Sequence, residues 1–169
     1  TVIVPSPTRL LSKYCQSQPY MGPRAGGKLC YRLVAGRNSL KPTVFIHTNH
    51  KQMLGALVSR YSLRKRSAHT DKFDVKLVEV KDFPCMLERE GQLYRRDGEM
   101  RPWLNEDLQS FAPLRFTPPQ LMHYEGRAVI MDPAIFAIGD IWELLQRDMG
   151  GAAIMCRPKS GSKGRKGAW

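Results

Sequence analysis

Two short polar clusters in this chain place residue types suited to ligand chemistry directly after an apolar run. The first, His47-Thr48-Asn49-His50, follows Thr43-Val44-Phe45-Ile46 and leads into a segment of helical periodicity. Side-chain oxygens and imidazoles at a strand end, beside a helix N-terminus with unpaired backbone N–H groups, suit an anion such as a phosphate. The second is Asp132, directly after Ala128-Val129-Ile130-Met131. A carboxylate there can hold a hard cation or a ribose hydroxyl. The structural alternatives are a strand-end cap at Asp132 and plain loop residues at His47 and His50, and no residue stands out as a general base.

Such residues meet only if the elements beneath them bring them to one edge. Thr43 to Ile46 is β-branched and aromatic, bounded by Pro42 and the polar cluster, as expected of a buried strand. Leu54, Leu57, Val58 and Tyr61 then recur at i, i+3, i+4 and i+7, which predicts a helix with that stripe on the core, while Arg60, Arg64, Lys65 and Arg66 load its last turns with favourable positive charge. Phe73 to Val80 alternates as a second strand, so the order is βαβ with a parallel pair. Glu90-Gly91 and Asp97-Gly98 punctuate a hairpin around Gln92-Leu93-Tyr94, and Pro118 and Pro119 suit the first turn of a short helix over Thr117 to Tyr124. Ala128 to Met131 is an apolar run typical of a central parallel strand. Ile141, Leu144 and Leu145 form the inner face of a short helix, and Ala152 to Cys156 a last strand. The expected fold class is α/β, a mostly parallel sheet whose strand ends bring Thr48, Asn49 and Asp132 together.

The chain has 169 residues, 42% hydrophobic and 25% charged, a globular composition of about one domain. It contains no apolar run of the roughly 20 residues that span a bilayer and no secretory h-region, so no transmembrane segment is expected. Cys15, Cys30, Cys85 and Cys156 lack CxxC or zinc spacing and read as mostly buried thiols in a reducing compartment. An intracellular location is expected, cytoplasmic first, with organelle import as the alternative suggested by the acid-free start. The net charge of +12 divides into +12 over residues 1–72, −5 over 73–156 and +5 over 157–169. Basic ends around a mildly acidic centre fit a phosphate-rich partner: RNA, an anionic membrane or a nucleotide diphosphate. Residues 1–42 read as an irregular basic leader, 43–156 as the α/β domain and 157–169 as a flexible basic tail. The chain starts at Thr1 rather than Met and reads as a processed or partial sequence.

Three segments together resemble a known family. IHTNHKQMLGALVSRYSLRKRS is similar to the opening of glycogenin-like, GT-A-type glycosyltransferases, with Thr48, Asn49, Tyr61 and Ser62 in the family's slots. FAPLRF resembles the segment that carries a basic residue towards the nucleotide sugar, here Arg115. GRAVIMDPAIFAIGDIWELL is similar to the strand-end signature in which a D-x-D motif precedes a Gly-Asp pair and a helix, matched by Asp132, Gly139 and Asp140. The resemblance covers Thr43 to about Cys156. It implies a Rossmann-like domain, the N-terminal part of an incomplete GT-A fold, that binds a nucleotide-sugar donor through Thr48, Asn49, His50, Tyr61, Arg115 and Asp132 for transfer to an acceptor. It also implies Mn²⁺ or Mg²⁺ on Asp132. Ala134 occupies the slot of the second carboxylate, so the D-x-D motif is incomplete and negligible transfer is expected from this chain. The alternative is a non-catalytic basic α/β protein that binds RNA or a large ribonucleoprotein assembly through its two ends.

Overall fold

A computed structural model describes residues 2–4 and 41–156. Strand β1 is Val2–Val4, β2 is Thr43–Thr48, and a 3-10 turn over His50–Gln52 opens helix α1, Met53–Arg66. Strand β3 (Asp74–Glu79) and helix α2 (Pro84–Leu87) follow, then the hairpin of β4 (Leu93–Arg96) and β5 (Glu99–Pro102). A 3-10 segment over Ala112–Phe116 leads to helix α3 (Pro118–Leu121), strand β6 (Ala128–Met131), helix α4 (Ile141–Leu145) and strand β7 (Met155–Cys156).

The main sheet runs in the order β3-β2-β6-β1-β7. β2 pairs parallel with both β3 and β6, and β1 pairs antiparallel with β6 and β7. The protein is therefore a mixed α/β structure built around three adjacent parallel strands. Side chains alternate across β2 and divide the core in two. Val44 and Ile46 pack with Ala56 and Leu63 of α1, with Val129 and Met131, and with Leu145. Phe45 packs on the opposite face with Val78, Phe83, Met86, Trp103, Phe111 and Leu114. The hairpin forms where the sequence predicts it: Asp97 and Gly98 both take positive φ, 54° and 90°, as a tight two-residue turn requires.

Four expectations need correction. α1 buries Ala56, Ser59 and Leu63, whereas Leu54, Leu57, Val58 and Tyr61 point outward. The cause is close packing, since small side chains let the helix backbone approach the sheet and Gly55 meets the turn after β6. Val2–Val4, inside the stretch read as an irregular leader, is a strand between β6 and β7; three residues are too few to carry a period. The last strand is only Met155–Cys156, because Gly150 and Gly151, with φ of 54° and 78°, prolong the turn ahead of it. Cys85 is half-buried and Cys156 exposed, so burial does not describe these thiols; Cys15, Cys30, residues 5–40 and the basic tail 157–169 lie outside the described residues. Among the described residues no helix is long and apolar enough to cross a membrane.

The approach at Gly55 gives a test of this packing. A Cβ there would stand 2.9 Å from the Pro133 carbonyl oxygen, and backbone cannot easily move aside. Helix propensity alone favours Ala over Gly by about 1 kcal/mol. Gly55→Ala is nevertheless expected to destabilise the domain by about 1–2 kcal/mol in urea unfolding, because overpacking costs more than propensity returns. A stabilised variant would contradict the contact.

Candidate functional site at the β2–β6 edge

The chain leaves β2 through α1 to β3 on one side, and later enters β6 on the other side. The carboxyl ends of β2 and β6 thus flank a topological switch point, the place where open α/β sheets bind ligands. Ile46 pairs with Met131, so His47 and Asp132 are the next residues on neighbouring strands, whose spacing is about 4.8 Å. Thr48, Asn49 and Asp132 therefore share one edge.

Their chemistry differs from residue to residue. Thr48 is fully buried and its hydroxyl donates to the Asn49 carbonyl at 3.1 Å. Asn49 is committed to the fold. Its Nδ2 donates to the carbonyls of Asp107 (3.1 Å) and Leu108 (3.3 Å) and to Ser110 Oγ (3.0 Å), while its Oδ1 caps the turn by accepting from Gln52 N at 3.0 Å. His50 is exposed, with Nε2 3.2 Å from Glu106 Oε2, and Lys51 binds the same glutamate. Asn49, His50 and Lys51 together fasten the 105–110 loop to the strand end.

Asp132 and Arg115 keep free capacity. Asp132 Oδ1 accepts from Ala134 N at 3.0 Å, and its other oxygen has no partner among the described residues. Arg115 is exposed and uses only Nε, which donates to the Ala112 carbonyl at 2.8 Å. Behind them lies His47, 5% exposed, its ring 5.1 Å from that of Phe111. Neither ring nitrogen has a hydrogen-bond partner among the described residues; the Met131 backbone acts on the ring without meeting hydrogen-bond geometry. Burial is the largest influence and drives its pKa down to about 4, with Arg115 pushing the same way and Asp132 opposing. His47 is therefore neutral at pH 7. The named set of donor-binding residues omits it, although it stands beside Thr48; only its burial beneath Phe111 singles it out.

Two residues from the family resemblance stand elsewhere. Tyr61 lies on the outward side of α1, about 12 Å along the helix axis from its start, with Lys65 Nζ 5.9 Å from its ring centroid. Asp140 is carried to the far end of α1. The segment after β6 runs beside that helix: Pro133 meets Gly55, Ala137 N donates to Ser62 Oγ at 2.9 Å, and Asp140 accepts from Ala68 N at 3.3 Å, His69 Nδ1 at 2.9 Å and Trp142 N at 2.9 Å. Burial pushes the Asp140 carboxyl up, but hydrogen bonds from Ser67, His69, Trp142 and Ala68 outweigh it and hold it at about 2. Asp140 is thus a cap and clamp.

The donor set does not suit a divalent cation. Among the described residues no group of three His, Cys, Asp or Glu could hold a metal ion, and Asp132 already spends one oxygen on its own turn. A hard ion needs about six oxygens. What the edge can offer instead is an anion contact at Arg115, the positive end of the acid-free helix α1, and one open carboxylate oxygen for a hydroxyl. No family model, no curated protein and no solved structure matches the chain.

Proposed function

We propose that this chain is a nucleotide-sugar-binding domain of GT-A type, holding its donor at the edge where β2 and β6 end. The supporting observation is the switch point itself, with an open carboxylate oxygen at the end of β6 and, on the 3-10 segment that packs against β2, a guanidinium with free donors that acts on the same His47 ring as that carboxylate. Asp132 accepts from a ribose hydroxyl, Arg115 and the start of α1 face the diphosphate, and Thr48 and Asn49 shape the floor without touching the ligand. Tyr61 has no part in the contact. In the resembling family a Mn²⁺ or Mg²⁺ ion neutralises the departing diphosphate; the residues here do not fit one, and no step is assigned to it. The domain binds a donor far better than it turns one over, since it supplies neither a general base nor a second metal ligand.

Ala134 tests the reading from the opposite direction. It is exposed, so a larger side chain meets no steric barrier. Ala134→Asp is expected to make UDP or GDP binding respond to Mn²⁺, tightening it about tenfold in calorimetry. The unaltered chain is expected to show little metal dependence. Equal binding by both proteins with and without Mn²⁺ would show that the turn after β6 does not face the diphosphate.

A further inference from the structure

The outward stripe of α1 does not stand alone. The segment running beside the helix adds Ile135, Phe136 and Ile138, so that seven large apolar side chains stand exposed on α1 and the segment packed along it; Ile138 is 93% exposed, Leu54 75%, Tyr61 62% and Phe136 51%. Monomers seldom leave such a face bare without a partner for it. Arg64, Lys65 and Arg66, all exposed and with no ion pair among the described residues, border the lower end of the face. No acid is present in α1 or between Pro133 and Gly139, and the next one, Asp140, is turned inward to Ala68 and His69.

We infer that this face docks on the surface of an anionic lipid bilayer, with the apolar side chains in the headgroup and acyl boundary and the cations on lipid phosphates. Charge decides among occupants. A second copy would set one acid-free, cation-bearing helix against another. Residues 5–40 of this chain carry six basic and no acidic residues, so they too would repel it. Single-stranded RNA would suit the charge, but five of the seven apolar side chains are aliphatic and give bases no stacking partner. This inference rests on the outward side of α1 and the segment beside it, not on the donor reading; because Leu54 lies in the first turn of α1, Phe136→Gln/Ile138→Gln alone, which leaves that turn intact, should lose the same advantage.

The test uses the full chain and sedimentation with vesicles of phosphatidylcholine containing about one-third phosphatidylglycerol. Because the basic ends can adsorb by charge alone, the decisive variant keeps the net charge: Leu54→Gln/Phe136→Gln/Ile138→Gln changes only exposed apolar positions. Wild type is expected to partition at least about tenfold more strongly than this variant, and the advantage should vanish on pure phosphatidylcholine. Arg64→Gln/Lys65→Gln should also weaken binding. Equal partition of wild type and the triple variant would overturn the inference. So would a wild-type dimer in light scattering that the triple variant converts to monomer, since a second copy would then cover the face.

Discussion

Asn49→Asp, although nearly isosteric, is expected to destabilise the domain by about 3 kcal/mol, lowering its thermal midpoint by roughly 10 °C. The amide nitrogen is the donor in three hydrogen bonds, to the Asp107 and Leu108 carbonyls and Ser110 Oγ. A carboxylate would replace it with an acceptor, buried and facing two carbonyl oxygens that cannot turn away. The Ser110 hydroxyl can reverse and donate; the carbonyls lose their partner and meet like charge. Unsatisfied buried groups cost about 1–3 kcal/mol each. Asn49→Ala removes the same bonds without the repulsion and should cost less. Melting followed by circular dichroism checks the order, wild type above Ala above Asp. An Asn49→Asp protein that melts with wild type would show that the 105–110 loop is not held from β2.

The second large effect is expected in acid. His47 has an ordinary pKa of 6.5 when unfolded and about 4 when folded. Between these values the unfolded chain binds the proton and the folded chain does not, so stability falls as pH drops from about 6.5 to about 4. The loss amounts to about 3 kcal/mol when the window is crossed. Replacing His47 by Leu removes the titrating group and the two unpartnered nitrogens together. In urea unfolding the variant should match or exceed wild type at pH 7 and lose much less stability by pH 4. Ionisation of the carboxylates affects both proteins alike. Superimposable pH profiles would mean that the imidazole is not held neutral beneath Asp132 and Arg115.

Strand ends were legible in the sequence because they combine two local signals. Apolar runs stop abruptly at His47 and at Asp132, and a parallel pairing then forces both onto one edge. The Asp97-Gly98 turn was legible for a similar reason, since both residues tolerate positive φ. The face of α1 was not. Its large apolar residues carry a helical period, but so do the small ones, Gly55, Ala56, Ser59 and Ser62. Periodicity does not say which stripe meets the sheet when close backbone approach favours the small side. The role of Asn49 was hidden by distance along the chain, because its partners lie 58 to 61 residues away. Burial of His47 depends in the same way on Phe111. Asp140 looked like part of a strand-end signature, yet the segment between it and Asp132 is extended along α1 and separates the two carboxylates by the length of that helix.

Donor binding at the β2–β6 edge is tested most directly by mapping backbone amide shifts in the full, isotope-labelled chain as UDP or GDP is added. The largest perturbations are expected on 47–54, on 112–116 and on 131–135, and they should vanish in Asp132→Ala/Arg115→Ala while the rest of the spectrum is retained. Perturbations confined to the basic ends at 1–40 and 157–169, or unchanged in that variant, would contradict it and would favour a protein that takes phosphate-rich partners by charge alone.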